Sequence, residues 1–474
     1  MTAGAAPDRT EAAVLGRLGV RLLRAGEAAH GADPATLLGL ALRRNPRRAH
    51  LLVSRMLGKH VPTDPRLVRG AAMLLGGLVA DALAGRPTRT LPVDLLHCAV
   101  RGDPGAAVAL HRLAGGRGAD PAGAAVVLGY AETATALGHG VAEALQDASG
   151  SGAGVDYLHS TRRPVGCIAT AGGFTEAHSH AAEHLLLPAD PALLCDDRPL
   201  VLVDDELSTG TTVLNTIAAL QKRSARRHYV VAALVDARPA DGALVEHVRD
   251  LGARLDVVSL ARAEVTLPSD LIRRADAVRS ELDSRGAGLA RAEGAAPPGG
   301  APEPDRRLAL AELGLPGALP TGGRHGFTPA DHRTLSAALP GLVDDLVRAG
   351  RLHADESTLV LGTEELMALP LRVAQTLADA GHRVAFSSTT RSPAVVVDEP
   401  DYALTSGITF PAHDDPVDGP GPRFAYNLGR AGVDPPWDTI LVVVDPPADT
   451  GTLRTGLLRE LAPLATRIVL VVTP

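Results

Sequence analysis

Short, uninterrupted apolar runs separated by amphipathic stretches recur through the chain, and this pattern constrains the fold more than any other feature. Residues 125–128, 166–170, 200–203 and 229–235 are such runs, with 256–260 a weaker one. Residues 358–361, 382–386, 439–444 and 467–472 repeat the pattern further on. A strand buried on both faces needs no polar alternation. Such strands joined by helical segments predict a parallel sheet covered by helices, an α/β fold. Between the two series lies SRGAGLARAEGAAPPGGAPEPDRR (284–307), whose Gly, Ala, Pro and charge are the composition of a flexible linker. The sequence thus predicts a first unit at 1–283, a linker at 284–307 and a second unit at 308–474.

The two units also resemble each other. VVLGYAETATALGHGVAEAL (126–145) lies on LVLGTEELMALPLRVAQTL (359–377), which aligns Gly129 with Gly362 and Glu132 with Glu365. YLHSTRRP lies on FSSTTRSP, putting Arg162 on Arg391, and PLVLVDDELSTGTT lies on TILVVVDPPADTGT, putting Asp204 on Asp445. Three matches in the same order predict two copies of one domain.

Composition narrows the function. With 47 basic against 54 acidic residues the net charge is −7, which argues against nucleic acid or an anionic membrane as the main partner. Aromatics are 2%, too few for base-stacking platforms. Cys98, Cys167 and Cys195 are far apart and have no zinc-site spacing. With no secretory signal pattern and no apolar run near 20 residues, a cytoplasmic protein is expected.

The segment with most chemistry is VLVDDELSTGTT (201–212). A buried strand ends in two acids, and a Ser/Thr/Gly loop opens a helix. Backbone N–H groups and hydroxyls at a helix N-terminus cradle phosphate, Gly210 allows close approach, and Asp204 and Asp205 can accept hydrogen bonds from ribose hydroxyls. No lysine follows the loop, which excludes a Walker-type nucleotide site. Upstream, LLVSRMLGKHVPTDP supplies Arg55, Lys59 and His60, which read either as pyrophosphate ligands or as solvated charges at a strand end. Lys59 is one of only two lysines in the chain. Glu132 and Thr133, in the turn of GYAETATALG, are a sugar or metal–water contact or simply a helix start. Arg162 and Arg163 form a candidate pyrophosphate clamp. GGFTEAHSHAAEH then brings Glu176, His178, His180 and His184, which suit either pyrophosphate, a metal or a solvated helix start.

The stretch 201–212 resembles the 5-phosphoribosyl-1-pyrophosphate (PRPP) loop of type I phosphoribosyltransferases. With SRMLGKHVPTDP, STRR and EAHSHAAEH, the chain looks like the phosphoribosyltransferase-like proteins of bacterial tellurium-resistance-type stress-response clusters. Their C-terminal domain is named after a TRSP motif, here Thr390-Arg391-Ser392-Pro393. That resemblance implies a type I phosphoribosyltransferase domain with a Rossmann-like parallel sheet, followed by a degenerate copy. It implies that Ser208, Thr209, Gly210, Thr211 and Thr212 hold the 5-phosphate of PRPP, and that Asp204 and Asp205 hold the ribose hydroxyls. The expected reaction is Mg²⁺-dependent transfer of ribose-5-phosphate to a small-molecule base. Asp204, Asp205, Lys59 and Arg162 would form its catalytic set, and a loop bearing Glu176, His178 and His180 would close over it. Base selection would fall to a hood built from the first 50 residues and segments near 91–118. In the second copy Asp445-Pro446 replaces the acid pair, so a working second PRPP site is not expected; Arg391 and Glu365 there read as ligand contacts or as a structural ion pair. The copies would pair with each other, as a dimer would, or the chain would form a homo-oligomer. The alternatives are a non-catalytic PRPP or nucleotide-binding regulator, a metal-dependent phosphohydrolase built on His178, His180 and His184, and a protein-binding scaffold.

Overall fold

The computed structural model describes residues 13–25, 31–45, 48–115, 123–149, 154–163, 165, 168, 170–175, 183–240, 242–284, 303–413, 421–429 and 434–474. Its strands in chain order are β1 (Arg21–Arg24), β2 (Leu38–Leu42), β3 (His50–Ser54), β4 (Ala125–Gly129), β5 (Val155–His159), β6 (Gly172–Thr175), β7 (Glu183–Leu186), β8 (Leu200–Leu207), β9 (His228–Asp236) and β10 (Arg254–Thr266). The second half adds β11 (Arg306–Ala309), β12 (Ser357–Gly362), β13 (Arg383–Ser388), β14 (Gly407–Pro411), β15 (Pro422–Tyr426), β16 (Trp437–Val444) and β17 (Ala465–Val472). The helices that position the site are α1 (Pro65–Leu83), α2 (Thr135–Ser149), α3 (Thr211–Arg223), α4 (Pro329–Gly350) and α5 (Ala368–Asp379).

Two sheets result, ordered β1-β10-β9-β8-β4-β5 and β11-β17-β16-β12-β13. All their pairings are parallel except that of the edge strand β1 with β10. The order β9-β8-β4-β5 reappears as β17-β16-β12-β13, so the second unit is an α/β domain with the topology of the first. Apart from 382–386, in the edge strand β13, the apolar runs that enter the sheets lie inside them, where both faces are covered.

Three expectations need correction. The sheet position expected of 166–170 belongs to β5, and three of those five residues lie outside the described ones. The strand hides its burial: Asp156 is paired with Arg198 at 2.8 Å, and His159 Nδ1 lies 2.8 Å from the carbonyl of Ser160. Strand β8 does not stop before the acids but runs through them to Leu207, pairing Glu206 with Val235. Strand β11 begins inside the stretch expected as linker, where the Ile468 N–H donates to Asp305 Oδ2 at 2.7 Å.

The two halves share one apolar core, in which Leu75, Val79, Leu137 and Val141 meet Leu369, Val373 and Leu377. At the same seam Glu143 on α2 is held by Arg69 on α1 at 2.8 Å and by Arg372 on α5. The sheet edges interlock as well. Tyr157 on β5 exchanges backbone hydrogen bonds with Phe327 (2.9 and 2.8 Å), and Phe386 on β13 exchanges them with Thr63 (2.9 and 3.0 Å). Tyr157 and Phe386 are equivalent in the repeat. Thr63 and Phe327 each precede the N-cap of a helix that begins with proline, α1 and α4. Each half therefore seals the open edge of the other's sheet with the same part of its chain, the reciprocity expected of a two-fold pair. Among the described residues, no helix is long and apolar enough to cross a membrane.

Candidate active site

Parallel sheets present their ligand sites at the C-terminal strand ends, where the connecting loops diverge. Here β4, β5 and β8 end side by side and open onto a cavity of about 410 Å³. Its floor is the β8–α3 turn. Leu200–Val203 are buried, whereas Asp204 and Asp205 are half-buried. Gly210 is the N-cap of α3 with φ +78°, and a Cβ there would lie 2.9 Å from Leu244 Cδ2, so both conformation and space call for glycine. Thr209 and Thr211 hydroxyls lie 2.9 Å apart at the mouth of the helix. Ser208–Thr212, Asp204 and Asp205 all line the cavity, and so do Lys59, His60, Glu132, Thr133 and Arg162.

The opposite wall carries buried charge. Lys59 Nζ donates to Glu132 Oε2 at 2.8 Å, with both side chains almost fully enclosed. Glu132 also accepts from the Thr390 hydroxyl at 2.8 Å and from the Arg391 N–H at 3.4 Å. Burial pushes its pKa up, but Lys59, Arg391 and Arg162 outweigh burial and hold it at about 2. His60 behaves oppositely: burial, then Lys59 and Arg43, lower its pKa to about 3. It is therefore neutral, and offers hydrogen bonding rather than the positive charge expected toward pyrophosphate.

Several expected residues are placed elsewhere. Arg55 is exposed and borders a separate cavity of about 370 Å³, together with Asp103, Tyr402 and Asn427. Arg163 turns away from the acid pair toward Asp445, at 3.4 Å. Glu176, His178 and His180 lie outside the described residues. His184 does reach the cavity, with Nδ1 2.9 Å from Ser160 Oγ, Nε2 3.4 Å from Arg162 Nη2, and its ring stacked on Phe174 at 4.8 Å. Those contacts suit a residue that positions Arg162 and leave neither ring nitrogen turned to a metal. Among the described residues, His139, Glu143 and His332 have ligand atoms within 4.8 Å of one another. Arg69 and Arg372 already occupy Glu143, which opposes binding of a cation there.

The hood also differs from expectation. Among the described residues, none of 91–115 lines the cavity. Helices Val93–Val100 and Pro104–Gly115 bury Leu96, Ala99, Ala107 and Leu110 in the shared core. The β2–β3 hairpin supplies the roof through Arg43, Arg48, Leu51 and Leu52. Arg48 pairs with Glu206, whose pKa is raised by burial against the pull of that arginine. The C-terminal half closes the remaining side with Arg391–Pro393 and Gly421–Phe424. Sequence reading missed Arg43, Arg48, Glu206 and Arg423; the alignment of Arg391 with Arg162 was the one available hint.

At the equivalent position of the second copy only about 10 Å³ remains. Pro446–Ala448 coil into a 3₁₀ turn, and Asp449 is taken by Arg307 at 2.7 Å and Arg454 at 3.0 Å.

Residues 37–264 match the family model described as phosphoribosyl transferase, and residues 321–461 match that of the TRSP domain found C-terminal to it. No curated protein matches the chain. Among solved structures, the adenine phosphoribosyltransferase of Trypanosoma brucei, in complex with AMP, pyrophosphate and ribose-5-phosphate, is 13% identical. The alignment covers 48% of this chain and 77% of that one, with a TM-score of 0.29. The orotate phosphoribosyltransferase of Aeropyrum pernix is 20% identical over 43% of this chain and 89% of that one, with a TM-score of 0.20. A hypoxanthine phosphoribosyltransferase of Staphylococcus aureus is 12% identical over 39% and 73%, with a TM-score of 0.21. These enzymes are named for three different bases, and likeness this distant carries no argument for any of them. The two family matches together take in most of the sequence: the chain carries a domain of the phosphoribosyl transferase family at 37–264 and, on its C-terminal side, a TRSP domain at 321–461.

Proposed function

We propose that the protein transfers ribose-5-phosphate from PRPP to a nitrogen of a small base, with release of pyrophosphate. The observation that carries this reading is the Asp204-Asp205 strand end followed by the Ser208–Thr212 turn, both facing one cavity whose far wall is cationic. The N–H groups and hydroxyls of the turn would hold the 5-phosphate, and Asp204 and Asp205 would accept from the ribose hydroxyls. Lys59 and Arg162 would face the pyrophosphate. The electron pair of the breaking C1–O bond leaves with pyrophosphate while the base nitrogen supplies the pair for the new C1–N bond. Cations fixed at the leaving group favour that charge shift because they need no reorganisation as it occurs.

The carboxylates at the cavity are the oxygen donors a hard cation takes, so Asp204 and Asp205 fit Mg²⁺ carried in with PRPP. Bound there, the ion would neutralise charge on the leaving pyrophosphate. On this reading the unit at 1–283 bears the site and the unit at 308–474 is the degenerate copy that pairs with it.

Calorimetric titration of PRPP with Mg²⁺ tests the proposal. Wild type should bind, and an Asp204→Asn/Asp205→Asn double variant should lose about 100-fold or more in affinity, given about 1.5–3 kcal/mol per charged hydrogen bond. A wild type that does not bind PRPP would sink the transferase reading. PRPP binding without turnover of any base offered would favour the regulator instead.

A further inference from the structure

The residue that joins the two halves at the cavity is Arg391. Its backbone N–H reaches Glu132 of the first half at 3.4 Å, and its Nε donates to Glu364 of its own half at 2.5 Å. Arg423 donates to the other oxygen of Glu364 at 2.6 Å. Lys59, Arg391 and Arg423 thus face two carboxylates, Glu132 and Glu364, and with Arg162 beside them the cations outnumber the anions at this wall. The loop that presents Arg391 is fixed on several sides. Thr390 exchanges backbone bonds with Phe424 at 2.8 Å each, Tyr426 OH donates to the Ser392 carbonyl at 2.9 Å, and Arg43 of the first half donates to Ser392 Oγ at 3.0 Å.

The equivalent loop of the first half makes the mirror contact. The Thr161 hydroxyl donates to Glu365 at 2.7 Å and the Arg162 N–H does so at 3.0 Å, just as Thr390 and Arg391 address Glu132. Each half therefore hands an arginine loop to the other half's acidic turn. The exchange opens onto space on one side only, since about 410 Å³ is free beside Glu132 and about 10 Å³ beside Glu365.

We propose that Arg391 of the C-terminal half contacts the pyrophosphate moiety of the donor bound in the N-terminal half, and that Glu364 positions it. This inference rests on the transferase reading above. The phosphate cradle on α3 serves the opposite end of the ligand, so the two ends of the donor are held by different halves of one chain. A guanidinium suits this task because its fork binds two phosphate oxygens at once.

The test titrates inorganic pyrophosphate with Mg²⁺, and separately ribose 5-phosphate, into full-length wild type, Arg391→Ala and Arg391→Lys, with thermal unfolding of each. In Arg391→Ala, pyrophosphate affinity should fall about 10-fold or more, as loss of a charge-assisted bond implies, while ribose 5-phosphate binds as in wild type. A merely structural role would move both ligands together or neither. If Arg391→Ala does not fold, Arg391→Lys decides, because it keeps a cation beside Glu364 but loses the fork. Weaker pyrophosphate binding with unchanged ribose 5-phosphate binding supports the proposal. Equal pyrophosphate affinity in a folded variant overturns it while PRPP binding by the wild type stands. A wild type that binds no PRPP defeats the transferase reading itself.

Discussion

Glu132 and His60 line the same cavity and both are buried, yet one is held charged and the other neutral. Cations at hydrogen-bonding distance decide the first case, and desolvation beside cations decides the second. His60 is not alone: burial is also the largest cause that lowers His50, His159, His332 and His413 to about 4. These histidines are neutral when folded, whereas the unfolded chain binds protons below about pH 6.5. Their stabilisation is therefore complete above about 6.5 and declines as pH falls toward 4, by up to roughly 1.4 kcal/mol per pH unit for each. Glu132 acts later in the same direction, losing its share between its ordinary 4.5 and about 2. Urea unfolding at pH 8.5, 7.5 and 5.5 should show a plateau between the first two and a clear drop at the third. An unchanged midpoint at 5.5 would refute the neutral assignments. At this scale the sequence showed residue types but not their directions. Lys59 and the acid pair were legible, while Arg55 was not, because Gly58, at φ +66°, lies in the turn that separates it from Lys59. Glu206 left no mark in the sequence, since its partner Arg48 lies 158 residues away in the chain.

Among the elements, apolar strands and the phosphate turn were legible because burial on both faces and a helix start leave local marks. Strand β5 left none, since its polar residues find partners only after folding. The helices between 91 and 118 show an ordinary apolar face, and nothing local says which surface that face will cover. The crossing of α1 and α2 is similarly unannounced and gives a prediction in which two effects compete. Gly140 sits inside α2, where alanine would gain about 1 kcal/mol in helix propensity. A Cβ at Gly140 would, however, lie 2.6 Å from the Ala72 Cβ on α1, and overpacking of that kind costs about 1–3 kcal/mol. Two helices in a core that both halves share have little room to separate, so the second effect should win. Gly140→Ala is expected to lower the urea midpoint, with a net loss of up to roughly 2 kcal/mol. A stabilised variant would mean that the crossing relaxes freely.

Across the whole molecule, the repeated strand order and the exchanged edges make one chain the equivalent of a pair of subunits, with one of two equivalent positions open. Three short matches were enough to expect the duplication, because strand ends and turns keep their order when a domain is copied. Which copy keeps an open position was visible only where Asp445-Pro446 departs from the acid pair. What the loss left behind was not visible: the spare position is filled by its own ion pairs, and its arginine loop serves the other side. Asp445→Asn tests this asymmetry directly, since Asp445 occupies the place of Asp204. Its contact to Arg163 is 3.4 Å long and its side chain is 24% exposed, so losing the pair should cost no more than about 1 kcal/mol. With about 10 Å³ beside it, Asp445 has no room for a donor molecule. PRPP affinity should therefore match wild type within twofold in calorimetry, while the same change at Asp204 and Asp205 should lower it about 100-fold or more. Loss of affinity in Asp445→Asn without loss of thermal stability would mean that the second position binds ligand after all, and that the closed space there opens in solution.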